Sequence, residues 1–216
     1  MNTRVDDLAI GQRRLYLCTP DRPDLADFVA ACIDGGVDIV QLREKHLEAR
    51  ALLERAAVVR GVCRDRGVPF ILNDRPDLAL DADADGVHVG QDDARPALAR
   101  RILGHGKIVG YSTHASRELD ASGREPVDYV ATGPVVHTAT HPDRAPTGVD
   151  YITYAARTST KPFFVTGGVT PEAIPALASA GARRFVVVRY LTEAGDPRAA
   201  ARRLRDAIDA VDPHGS

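Results

Sequence analysis

Eight short apolar runs alternate with eight amphipathic stretches across 216 residues, which predicts a single-domain (β/α)8 TIM barrel. Two further observations support that class. No GxGxxG follows the first apolar run, as a dinucleotide-binding open sheet would have. Glycines close the helical stretches one after another, as helix-terminating residues do.

The first strand is expected over 14–19 and its helix over 24–34, ended by Gly35-Gly36. A second strand over 37–42 leads to a helix over 47–65 and then Gly67. The third strand, 69–72, is followed by a short helix over 76–81. The fourth, 86–89, precedes a helix over 94–103 closed by Gly104. Strand five over 107–111 and a helix over 116–122 end at Gly123. Strand six, 127–132, opens the one long connection, 133–150, before a helix over 151–157. A connection of that length inside a compact domain is commonly functional. Strand seven, 162–166, and a helix over 171–179 end at Gly181; strand eight, 184–188, precedes a last helix over 197–211. Residues 1–12 read as an N-terminal extension and 13–216 as one catalytic barrel domain.

Composition narrows the function. Apolar residues make up 44%, so the chain has a core to bury; charged residues make up 27% with a net charge of −2, which offers no basic field for nucleic acid. Trp is absent and aromatics are only 5%, as suits a layered core of Ala, Val, Leu and Ile. Cys18, Cys32 and Cys63 have neither CxxC nor metal-ligand spacing and fit a reducing cytosol. The N-terminus carries no apolar signal core, and no apolar run approaches ~18 residues. The expectation is a cytoplasmic protein with no membrane and no nucleic-acid partner.

The segment ILNDRPDLALDADADGVHVGQDD carries the most chemistry. Its two apolar runs end in acidic residues, Asp74 and Asp93, where parallel strands give way to loops. Ligands bind at that face of parallel α/β folds. Two carboxylates at one mouth suit a Mg²⁺ that also holds a diphosphate. The alternative reading is that each Asp caps the helix that follows. On the second strand end, alternation places Gln41, Arg43 and Lys45 on one side and Leu42 and Glu44 on the other. A planar fork, a point cation and an amide suit an anionic ligand bearing a polar ring. Ser112 ends strand five, where its hydroxyl could meet a substrate or cap a helix. Thr138, Ala139, Thr140 and His141 lie in the long loop, with hydroxyls and a potential cation for a phosphate. Gly167-Gly168 after strand seven admits close backbone approach, and Val188-Arg189 ends strand eight. The loops after strands seven and eight are the usual phosphate site of this barrel.

Taken in order, QLREK, ND, GQDD, a Ser after strand five, a GP…TxT loop, a GG turn and a VVVR terminus resemble thiamine phosphate synthase. The likeness spans about residues 13–211. It implies that a hydroxymethylpyrimidine diphosphate condenses with a thiazole phosphate to give thiamine phosphate and diphosphate. It implies that Gln41 orients the pyrimidine, that Arg43, Lys45 and Asn73 hold the diphosphate, and that Asp74 and Asp93 ligate Mg²⁺. Leu42 and Glu44, between those binding groups, are expected in the same substrate-binding segment. Ser112 would contact the pyrimidine; Thr138, Ala139 and Thr140 the thiazole; Gly168, Val188 and Arg189 its phosphate. Arg43, Lys45, Ser112 and His141 would carry the catalysis, and a homodimer is implied. His141 stands where the family usually has lysine, and His137 where it usually has proline. Arg144 is a second candidate for the missing cation. Two other functions compete: a thiazole tautomerase-like isomerase, and a catalytically weak homologue that binds thiamine-related phosphates.

Overall fold

The computed structural model describes residues 10–138 and 145–212. Eight parallel strands close in chain order into one barrel: β1 Leu15–Thr19, β2 Ile39–Leu42, β3 Phe70–Asn73, β4 Gly86–Val89, β5 Ile108–Thr113, β6 Tyr129–Thr132, β7 Phe163–Thr166 and β8 Phe185–Val187. β8 returns to β1 with Tyr16 opposite Val186. The helices are α1 Leu25–Asp34, α2 Ala49–Asp65, α3 Pro76–Asp81, α4 Pro96–Leu103, α5 Ser116–Ser122, α6 Gly148–Thr158, α7 Ile174–Ser179, α8 Arg189–Thr192 and α9 Pro197–Val211.

Strand alternation divides the core into two layers. Leu17, Val40, Leu42, Phe70, Leu72, Val87 and Val109 point outward and pack under the helices. Tyr16, Cys18, Ile39, Ile71, Ile108, Tyr129, Phe164 and Val186 point inward and fill the barrel. Ile10, in a single 3-10 turn over Ile10–Gln12, packs into that inner cluster. A side chain at Gly110 would run into the Tyr129 ring, so this glycine makes room for the largest inward residue.

The strand starts share a device. Asp38, Asp85 and Asp128 each precede an even-numbered strand and accept N–H bonds from the neighbouring odd strand, at Arg14 and Leu15, Phe70, and Val109. Each carboxylate thereby satisfies backbone donors at the end of the barrel away from the ligand face.

All eight expected strands form, with no end moved by more than two residues and β4 unmoved. β5 runs on to Thr113 because Ser112 and Thr113 pair with Ala131 and Thr132 of β6. Ser112 is therefore inside a strand and faces the barrel axis. The sequence pattern does not reveal α8, a single turn too short to show a helical period.

Candidate active site

The C-terminal ends of the strands surround a cavity of about 440 Å³. Tyr16, Cys18 and His88 line its floor, and Tyr129 and Phe164 of the inner core pack against them. Tyr16, Tyr129 and Phe164 meet edge to face, with centroids 5.3–6.0 Å apart, and His88 stacks on Tyr129 at 5.5 Å. Burial raises the hydroxyl pKa values of both tyrosines, so both stay protonated. It lowers that of His88 to about 4, so its ring is neutral at pH 7.

β2 delivers Gln41 into the floor, where its Nε2 donates to Tyr16 Oη at 2.8 Å. Arg43 and Lys45 follow on the same side and line the cavity. Leu42 does not reach it: the same alternation turns its side chain outward, fully buried under the helices. Glu44 also turns away, its carboxylate accepting from the Asp21 and His46 N–H groups at 3.4 and 2.9 Å.

Asn73 ends β3 and is buried at the cavity wall. Asp74 follows in the left-handed region at φ 63°, an uncommon conformation for a residue with a side chain, though Asp tolerates it better than most. Its N–H donates to the His88 carbonyl at 2.8 Å, and its Oδ2 meets Lys45 Nζ at 2.8 Å. After β4 the loop folds back so that Asp93 Oδ2 accepts from the Gly90 N–H at 2.8 Å. Asp74 and Asp93 reach each other. The Asp74 pKa is raised by burial first and then by its hydrogen bond with Asp93, against the lowering pull of Lys45.

Neither acid caps a helix. The residues preceding α3 and α4 are Arg75 and Arg95, and neither helix start has a side-chain cap. Nor does Ser112, whose Oγ lies 2.8 Å from His88 Nε2 while Ala115 precedes α5. The capping alternative therefore fails for all three.

Thr138 lines the far side of the cavity. Ala139, Thr140, His141 and Arg144 lie outside the described residues. Gly167 and Gly168 have φ 95° and 74° and form the rim after β7. Val188 precedes α8 at the end of β8, and Arg189 is exposed with its guanidinium 2.9 Å from Glu193 Oε1. Both line the cavity. His114 also lines it and ties β5 to the long loop, its Nδ1 donating to the Gly133 carbonyl at 2.6 Å. Cys18 is buried with its thiol pushed up to about 12, which leaves it without thiolate character.

The structure thus gathers Gln41, Arg43, Lys45, Asn73, Asp74, Asp93, Ser112, Thr138, Gly168, Val188 and Arg189 around one cavity. Tyr16, His88, Tyr129 and His114 escaped sequence reasoning. The signal for the first three was strand parity: each sits at an inward position. No group of three or more metal-binding side chains occurs among the described residues. Two carboxylates, Asp74 and Asp93, beside the cationic side chains of Arg43 and Lys45 are a donor set that fits Mg²⁺, which takes few protein carboxylates and completes its shell with water and phosphate-type oxygens.

Comparison with known proteins identifies the family and the fold. The family model described as thiamine monophosphate synthase matches residues 15–191. The chain is 47% identical over 205 residues to a thiamine-phosphate synthase of Saccharopolyspora erythraea, covering 90% of this chain and 92% of that protein. It is 44% identical over 213 residues to one from Mycobacterium sp. (strain JLS), covering 93% and 94%. Among solved structures, thiamine phosphate pyrophosphorylase from Pyrococcus furiosus superposes with TM-score 0.86 at 26% identity, covering 94% of this chain and 98% of that one.

Proposed function

The chain belongs to the thiamine monophosphate synthase family, a family of thiamine-biosynthesis transferases, and from that premise we propose how its cavity divides the reaction. Gln41 and Ser112 hold the pyrimidine ring over the aromatic floor. Arg43, Lys45 and Asn73 hold its diphosphate, and Asp74 and Asp93 hold a Mg²⁺. Thr138 contacts the thiazole, a role that the family likeness also implies for Thr140, while Gly168, Val188 and Arg189 take its phosphate at the usual phosphate end of the barrel.

The bond between the pyrimidine methylene and diphosphate oxygen breaks with its electron pair leaving on the diphosphate. The thiazole nitrogen supplies the pair for the new C–N bond, so no oxidant, reductant or covalent enzyme intermediate is required. When bound, the Mg²⁺ neutralises charge on the departing diphosphate. Arg43 and Lys45 add fixed positive charge on the same group. The buried floor excludes water from the electron-poor methylene, and the anchored thiazole phosphate sets the direction of attack.

The observation that carries this reading is the acidic pair itself. Asp74 is held in a left-handed conformation and Asp93 is clipped to Gly90, so both carboxylates converge beside Lys45. A tautomerase-like isomerase would not need this diphosphate end. Diphosphate release from the two purified substrates tests the assignment against both alternatives. We further propose a cytoplasmic homodimer; sedimentation of the purified chain tests the dimer. No helix among the described residues is long and apolar enough to cross a membrane.

A further inference from the structure

Five consecutive hydrogen bonds cross the barrel floor from β1 to β5. Cys18 Sγ donates to Gln41 Oε1 at 3.5 Å, and Gln41 Nε2 donates to Tyr16 Oη at 2.8 Å. Tyr16 Oη meets Tyr129 Oη at 2.8 Å, Tyr129 Oη meets His88 Nδ1 at 3.0 Å, and His88 Nε2 meets Ser112 Oγ at 2.8 Å. The last three contacts do not by themselves say which atom donates, but the first two do.

An amide nitrogen has protons and no lone pair to offer, so Tyr16 Oη accepts from Gln41. A phenol has one proton, and the Tyr16 proton is left with Tyr129 Oη as its acceptor. Tyr129 cannot return its proton along the same line, so it donates to His88 Nδ1. That nitrogen is then bare, and a neutral imidazole with a bare Nδ1 carries its proton on Nε2. Nε2–H donates to Ser112 Oγ, which keeps its own O–H to donate elsewhere.

We propose that Tyr16 and Tyr129 are positioning residues: their hydroxyls run a one-way hydrogen-bond chain that fixes His88 as the Nε2–H tautomer and turns the Ser112 O–H into the cavity. The Gln41 amide that sets the direction of the chain also leaves its second N–H for a ligand. Both ends of the floor therefore offer donors, and the ring seated there is selected for acceptor atoms facing Gln41 and Ser112. This last consequence rests on the pyrimidine half-site proposed above. The tautomer does not, because it is a property of the ligand-free protein.

Two measurements test the chain. In ¹⁵N-histidine-labelled, ligand-free protein at neutral pH, long-range ¹H–¹⁵N correlation reads which imidazole nitrogen is protonated. The His88 signals are identified by their loss in His88→Gln and, independently, by their displacement in Ser112→Ala. The expected result is an unprotonated Nδ1 and a protonated Nε2. In Tyr129→Phe, which keeps the ring and its packing, the tautomer should lose its preference. KM for the pyrimidine diphosphate should rise ~5–10-fold, the scale of one neutral hydrogen bond. A protonated Nδ1 in the wild type overturns the proposal whether or not the protein turns over its substrates. So does a Tyr129→Phe protein with both tautomer and KM unmoved.

Discussion

Lys45 Nζ lies 2.8 Å from Asp74 Oδ2, so the first cation to meet the acidic pair is the protein's own. The contact is partial compensation: burial and Asp93 still outweigh Lys45 and keep the Asp74 pKa raised. A divalent cation at the pair would take over this role at Asp74 and leave Lys45 to the diphosphate.

A carboxyl whose folded-state pKa stands above its unfolded value stabilises the fold fully below that unfolded value, ~3.9 for Asp. That contribution is lost as pH rises through the raised folded value. At pH 7 an ionised Asp74 therefore costs stability in the metal-free protein. Asp74→Asn removes the charge, keeps a side chain that tolerates φ 63°, and gives up a half-exposed ion pair worth little. Its Tm in chelator at pH 7 should rise, by about 2–4 °C for each kcal/mol gained. Its turnover should fall by ~100-fold or more. A lower Tm in the variant would show that the pair is not held at a cost.

Gly168→Val should raise the thiazole phosphate KM about tenfold or more and leave the pyrimidine KM unchanged. The substitution places a side chain at φ 74° against Val136 and on the rim where the phosphate is proposed to approach. Pairing it with Val136→Ala removes the clash with that neighbour. A thiazole KM that recovers fully in the double variant would trace the effect to the clash and not to the phosphate.

Gly110→Ala drives a methyl group into the Tyr129 ring. Overpacking of this kind costs ~1–3 kcal/mol, which thermal unfolding would register as a drop of several degrees. Because Tyr129 touches both Tyr16 and His88, activity should fall further than stability alone explains. Equal activity per folded molecule would detach the floor from the chemistry.

His141 lies outside the described residues, so its prediction rests on sequence alone. If it supplies the cation that the family draws from lysine, a bound diphosphate raises its pKa, and its charge is present below that value and lost above it. His141→Lys should then move the alkaline limb of the pH–rate profile upward, since lysine titrates near ~10.4. Coincident profiles would make His141 a bystander.

The barrel was legible because its parallel strands are buried on both faces and read as nearly continuous apolar runs. The binding face was legible because its charged residues stand just past those runs, where Arg43, Lys45, Asp74 and Asp93 cannot be core. The floor was not legible. Tyr16 and Tyr129 are 113 residues apart and read as ordinary core aromatics until barrel closure brings their hydroxyls together. His88, flanked by Val87 and Val89, reads as a packing residue unless strand parity is fixed first. Leu42 and Glu44 were drawn into the site by sequence adjacency and turned out of it by the same alternation that turns Gln41 in.

Diphosphate release is proposed to depend on a Mg²⁺ held by Asp74 and Asp93. This dependence is tested most directly by measuring diphosphate release from both purified substrates across a Mg²⁺ titration, for the wild type and for Asp93→Asn. The predicted result is release that chelator abolishes in the wild type. In Asp93→Asn the requirement for Mg²⁺ should shift to higher concentration and maximal release should fall ~100-fold or more. Chelator-resistant release, or an Asp93→Asn curve that overlays the wild type, would contradict it.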